Sequence, residues 1–185
     1  MSVSRLLHRD DSALVVIDVQ EAYRGKTVEH DRMVERVCRL IRAARLLAVP
    51  IVVTEQYPKG IGRTQREVAE CLPEAQPILE KMTMSCCGQP QFVAAVERLG
   101  RRQLVVCGIE AHACVNQTVH QLLERGYEVH LPRDAVSARF ESDLEVAWQK
   151  MTTSGAVPSS TEMALLEWIR SSEDPLFKDI HRLIK

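Results

Sequence analysis

No stretch of this 185-residue chain approaches the ~20 consecutive apolar residues that a membrane-spanning helix requires. The longest apolar runs, Ala13–Ile17 and Leu104–Cys107, are only strand-sized. No charge of one sign dominates either, with 24 Lys and Arg against 25 Asp and Glu and a formal net charge of −1. Such a surface has no bulk attraction for phosphate backbones or anionic lipids, so neither nucleic acid nor a membrane is expected as a partner. The six cysteines, Cys38, Cys71, Cys86, Cys87, Cys107 and Cys114, contain no C-x-x-C pair. Met1–Asp11 lacks the apolar stretch of a secretory signal, and Asp10 and Asp11 do not suit a transit peptide. Reduced thiols in a cytoplasmic protein are expected, not a disulfide framework. Gly60 and Gly62 have no third glycine and no strand-to-helix setting, so no dinucleotide fingerprint is present.

The composition that remains is that of an ordinary globular chain, 45% apolar and 26% charged. Its length suits a single domain over residues 1–185. Two hydrophobic periods alternate along it. Ala13–Val19 reads as a strand buried on both faces. Met33, Val34, Val37, Leu40, Ile41, Ala44 and Leu47 recur at helical spacing, predicting a helix over Asp31–Leu47 stopped by Pro50. Ile51–Thr54 reads as a second strand and Tyr57–Gly62 as a loop. A third strand is predicted within Ile78–Met84, a helix from Pro90 to Leu99, and a fourth strand over Gln103–Cys107. A helix over Cys114–Arg125, closed by Gly126, precedes a fifth strand over Tyr127–Leu131. Ser142 with Glu145, and Ser159 with Glu162, read as capping boxes opening two further helices around a sixth strand at Gly155–Pro158. The last helix follows Asp174-Pro175, with Leu176, Phe177, Ile180, Leu183 and Ile184 on one face. That face predicts either a subunit contact or docking on the protein's own sheet. The alternation of strands and helices implies an α/β class: a three-layer Rossmann-like fold with a six-stranded parallel sheet and helices on both faces.

In such folds the site lies beyond the carboxyl ends of the strands. Asp18 closes the first strand, Lys81 lies at or near the third, and Cys114 follows the fourth. A helix start and a nearby ammonium both favour thiolate over thiol. A carboxylate within reach could take the thiol proton and return it to a leaving group. Each residue also has a simpler reading: a solvated strand stop, a surface lysine, a buried small hydrophobe.

Leu14-Val-Val-Ile-Asp-Val-Gln20, Glu80-Lys81 and Val106-Cys-Gly-Ile-Glu-Ala-His-Ala-Cys-Val115 together resemble the isochorismatase-like cysteine hydrolase family. The resemblance continues through Leu123–Val129 and Asp134–Ser137, and Gly108–His112 with Thr54–Gly60 resembles its isochorismatase domain-containing subgroup. It implies an Asp–Lys–Cys triad of Asp18 as proton acceptor, Lys81 as orienting cation and Cys114 as nucleophile. It also implies a cis peptide between Ile109 and Glu110, aiming backbone N–H groups at an oxyanion.

Two departures stand out. Ala111 occupies a position where the family commonly has threonine, so a local hydroxyl is lost. The loop Glu55–Gly62 holds no histidine, unlike the metal-binding loop of nicotinamidases, so no metal and no cofactor are expected. Tyr23, Tyr57 and His112 are candidates to line the substrate pocket, each with a structural alternative. Glu110 would set a carboxylate beside the site. Cys86-Cys87 reads as ordinary packing before a redox pair or metal ligands. The expected activity is metal-independent hydrolysis of a C–N bond in a small amide or related acyl compound through a Cys thioester, in a homo-oligomer. The alternatives are isochorismatase-type vinyl-ether hydrolysis and a catalytically idle interaction protein.

Overall fold

The computed structural model describes residues 5–185. Strands β1 (Ser12–Ile17), β2 (Ile51–Gln56), β3 (Ile78–Lys81), β4 (Gln103–Ile109), β5 (Glu128–Pro132), β6 (Val136–Ser137) and β7 (Val157–Ser159) form one sheet. Its order is β3-β2-β1-β4-β5-β7, with β6 paired to β4. Every ladder within it is parallel. The predicted six-strand parallel path is present, and the two-residue β6 extends it. Val136-Ser137 is too short to carry a periodic signal.

The helices are α1 (His30–Leu46), α2 (Pro58–Ile61), α3 (Arg66–Ala69), α4 (Pro90–Leu99), α5 (Asn116–Glu124), α6 (Glu141–Thr153), α7 (Thr161–Ile169) and α8 (Phe177–Ile184). β1 shows why helices are needed on both faces. Leu14 and Val16 join a core built with α1, α7 and α8. Ala13, Val15 and Ile17 point the other way, into a core with α4, α5 and α6.

Chain order reverses between β1 and β4, and this is the topological switch point where a crevice forms in doubly wound sheets. Gly108 lies at this seam, paired with Ile17. Its φ is +114°, and an added Cβ would fall 2.1 Å from the Ile17 carbonyl oxygen. Only glycine fits there.

Several local expectations are corrected. Tyr57–Gly62 is not all loop: Pro58, with φ preset, opens the single turn α2. The third strand stops at Lys81, because the following carbonyls turn back onto the Lys81 ammonium. Helix α6 starts at Glu141 with Phe140 at its N-cap and no side-chain cap, so Ser142 opens no capping box. Helix α7 is capped by Ser160, whose Oγ accepts the Met163 N–H at 3.2 Å, while Ser159 ends β7. The apolar face of α8 docks within the protein itself: Ile180 is fully buried, and Arg39 Nη1 donates to the Ile184 carbonyl at 2.8 Å. Leu176, Phe177, Leu183 and Ile184 pack against the same core and stay partly exposed.

Candidate active site

Asp18 follows β1 with φ +51°, a left-handed conformation in which aspartate is tolerated better than most residues. This turn ends the strand two residues earlier than predicted. It leaves the carboxylate almost fully buried, at 1% exposure. A charge so placed needs partners. Thr54 Oγ1 donates to Asp18 Oδ1 at 2.7 Å. Lys81 Nζ lies 2.7 Å from Oδ2.

The ammonium of Lys81 has its donors committed elsewhere. Nζ donates to Gln56 Oε1 at 2.7 Å, the Met84 carbonyl at 2.9 Å and the Thr83 carbonyl at 3.1 Å. An ammonium has only three N–H groups. Lys81 thus gives Asp18 Oδ2 its charge at close range, while no donor is aligned on that oxygen. Burial alone would lower the Lys81 pKa. Asp18, with help from Cys86 and Cys114, outweighs burial and holds it above the ordinary lysine range.

Cys114 sits in a wide π-type turn, Ala111–Val115, between β4 and α5. It was expected in the first turn of a regular helix. The Ile109–Glu110 peptide before this turn is cis. The Glu110 carbonyl accepts the Ala113 and Val115 N–H groups at 3.0 and 3.2 Å, which closes the turn. The Cys114 thiol lies close enough to Asp18 and Lys81 for both charges to act on it. Burial, then the Asp18 charge, push the Cys114 pKa up to about 12, and Lys81 offsets only part of this. The resting group is a thiol beside a carboxylate.

This is a buried acid–cation–thiol cluster at the switch point of a doubly wound sheet, and residues 12–163 match the family model described as the isochorismatase domain. The chain belongs to the isochorismatase domain family. Isochorismatase domain-containing protein 2 of Danio rerio is 38% identical over 176 residues, covering 94% of this chain and 86% of that protein. A structure described as MAR1 ribonuclease from Caenorhabditis elegans superposes with a TM-score of 0.92 at 38% identity, covering 97% of this chain and 92% of its own. The Escherichia coli YcaC product, described as an octameric hydrolase of unknown specificity, shares the fold at a TM-score of 0.89 and 21% identity, covering 100% of this chain and 97% of its own.

Within this isochorismatase fold, the other predicted residues separate. Tyr23 stands beside Glu110 and Cys114, and burial followed by the Glu110 charge lifts its pKa to about 12. Glu110 is 8% exposed, and Arg139 Nε donates to its Oε1 at 2.7 Å, so its charge is met by a cation from outside. His112 is half-buried, with Nδ1 enclosed and lacking a partner. Tyr57 shares only its backbone with the cluster, its N–H donating to the Lys81 carbonyl at 2.9 Å. Its ring lies over Gly60 and is 45% exposed.

The sequence reading missed the residues that hold the cluster in place. Gln20 Oε1 accepts the Gln56 N–H at 2.7 Å, and Gln56 in turn holds Lys81. Cys86 lies with its thiol 3.7 Å from Thr54 Oγ1 and its N–H on Thr118 Oγ1 at 2.9 Å. Thr118 Oγ1 also donates to the Cys114 carbonyl at 2.6 Å. The available signal was polar side chains in strands otherwise written in apolar residues. Glu55, also at a strand end, is consumed structurally by Thr64 and Arg63. Among the described residues, no group of three or more His, Cys, Asp or Glu side chains is placed to hold a metal ion.

Proposed function

We propose that Cys114, Asp18 and Lys81 hydrolyse the C–N bond of a small amide or related acyl compound without a metal. The reading is carried by one observation: the Cys114 thiol stands beside a buried carboxylate that is paired with a buried ammonium at 2.7 Å. Asp18 Oδ2 accepts the thiol proton as sulfur attacks the substrate carbonyl. Lys81 keeps the local charge balanced. The Ala113 and Val115 N–H groups are spent on the Glu110 carbonyl, so we assign the Cys114 and Glu110 N–H groups to the developing oxyanion. Asp18 then protonates the departing amine, leaving a Cys114 thioester. Water deprotonated by Asp18 releases the acid and restores the thiol.

Tyr23, whose hydroxyl lies near Glu110 and Cys114, lines the acyl pocket, and His112 flanks it. A compact substrate fits a nucleophile that is only 6% exposed. A polynucleotide, which the ribonuclease description of a structural neighbour would suggest, does not fit so enclosed a sulfur. The assembly we take is a homo-oligomer, supported by the octameric state described for the YcaC product. Light scattering of the purified chain tests it.

A second reading has its own support in the family model. Asp18 could protonate the carbon of a vinyl ether, chemistry that needs no thiol. Turnover of a panel of small amides, isochorismate and single-stranded RNA by the wild type, Cys114→Ser and Asp18→Asn separates these readings. Amide hydrolysis lost in both variants, with an acyl adduct on Cys114 in quenched wild type, supports the first. Vinyl-ether turnover surviving Cys114→Ser but not Asp18→Asn favours the second. RNA cleavage that needs Cys114 overturns the small-substrate assignment. No turnover and no adduct in any arm leaves an idle interaction protein.

A further inference from the structure

We propose that Cys38 and Cys71 form a peroxide-reactive dithiol that closes to a disulfide, a modification site separate from the Cys114 centre. Cys38 lies on the inner face of α1, and Cys71 follows α3. Both thiols donate to one acceptor, the Glu67 carbonyl, at 3.5 and 3.1 Å, which sets the two sulfurs side by side. Both cysteines belong to the core on the α1 side of the sheet, whereas Cys114 belongs to the core on the other side.

Two arginines face the pair. Arg42 stands one turn beyond Cys38 on α1, and Arg45 Nη1 donates to the Cys71 carbonyl at 2.8 Å. A cleft of about 300 Å³, lined by Cys38, Arg42, Gln65 and Glu67 among others, opens on the Cys38 side of the pair. The other buried thiols are arranged differently. Cys107 is sealed inside β4, and Cys86 is hemmed in by Thr54 and the Asp18–Lys81 ion pair.

The neighbouring Cys71 thiol and burial push the Cys38 thiol up. The Cys38 thiol in turn lowers Cys71 against the opposing effect of burial, with Arg42 and Arg45 assisting. With Arg45 held on its own carbonyl, Cys71 is taken as the sulfur that ionises and Cys38 as the one that keeps its proton. The Cys71 thiolate attacks one oxygen of hydrogen peroxide, the O–O bond breaks, and Cys71 sulfenic acid and hydroxide form. The Cys38 sulfur then displaces the hydroxyl group. Water leaves with the Cys38 proton, and the S–S bond forms. Two electrons pass from the dithiol to the peroxide, and an external dithiol reverses the change by exchange.

The test is peptide mapping of the full chain after a limiting dose of hydrogen peroxide at neutral pH. Free thiols are blocked with iodoacetamide in denaturant before digestion with trypsin without reduction. Cleavage after Arg36, Arg39, Arg66 and Lys81 places Cys38 in peptide 37–39 and Cys71 in peptide 67–81. The expected principal product is these two peptides joined, separated again by dithiothreitol, and formed equally in Cys114→Ser. In Cys38→Ser the oxidised Cys71 should persist as a sulfenic acid captured by dimedone. If that variant does not fold, the wild-type map decides alone. Recovery of both peptides fully alkylated while the peroxide is consumed elsewhere overturns the proposal. So does linkage of Cys38 or Cys71 mainly to the peptide carrying Cys86 and Cys87.

Discussion

Two groups of thiols in this molecule stand near cations, and their surroundings push them in opposite directions. At the sheet end, Cys114 has Lys81 for a neighbour but also the Asp18 carboxylate, and burial leads in pushing its pKa to about 12. Against α1, Cys71 has Arg42 and Arg45 nearby, no carboxylate among its leading influences, and a second thiol that takes the burden of the proton. A cation beside a cysteine therefore does not by itself make a thiolate. The sign of the remaining charges and the depth of burial decide. In the mechanism we propose, the first arrangement keeps the proton until a substrate brings an electrophilic carbon and Asp18 takes it. The second lowers one thiol at the expense of its neighbour.

The largest effect should come from removing the cation at the sheet end. Lys81→Met leaves the Asp18 carboxylate buried without a counter-charge, and breaking a buried pair in this way costs about 3–5 kcal/mol. Urea unfolding should show it, with hydrolysis abolished. A loss under 1 kcal/mol, of the kind typical of exposed pairs, would mean that water reaches Asp18.

A smaller loss is expected from Thr54→Val, which deletes the donor to Asp18 Oδ1. Leaving that acceptor unsatisfied costs about 1–3 kcal/mol. It should also slow turnover more than it weakens substrate binding. An unchanged kcat would show that Lys81 alone aims the carboxylate.

The thiol contrast itself is read from alkylation rates against pH. The Cys114 rate should keep climbing through pH values approaching its pKa of about 12. The rate at Cys71 should level off below the ordinary thiol range, following its lowered pKa. Coincident profiles for the two cysteines would erase the distinction.

The smallest effect concerns stability against pH. The Cys114 pKa is raised on folding from 9.0 to about 12, so the folded state binds more protons than the unfolded state between those values. Its contribution is fully present below the unfolded value and is lost as pH rises toward the folded one. Stability should fall on the alkaline side of pH 9, and Cys114→Ala should flatten part of that slope in denaturant titrations. A slope unaltered by Cys114→Ala would assign it to the other buried thiols, such as Cys86.

The layered fold was legible because its signals are local and repeated. Ala13–Ile17 is continuously apolar, and α1 carries its buried residues at helical spacing. Boundaries were less legible where one hydrogen bond decides them. Ser160, not Ser159, caps α7, and no side chain caps α6. Asp18, Lys81 and Cys114 were visible as polar or reactive residues at strand ends. Thr54 and Gln56 were not, because a polar residue in a strand says nothing about its partner until neighbouring strands are in register.

By itself, then, the sequence determined the alternation of strands and helices, the burial of β1 on both faces, and which three reactive side chains follow strands β1, β3 and β4. Periodicity and strand-end position are properties of a few consecutive residues. Tertiary structure alone decided that Asp18 and Lys81 meet across β2, that the three donors of Lys81 are taken by Gln56, Thr83 and Met84, and that α8 folds back onto its own core. It also decided that Cys38 and Cys71, far apart in the chain, face one carbonyl. Those outcomes depend on strand register, side-chain burial and the charges that burial brings within a few ångströms, and no local run of residues encodes them.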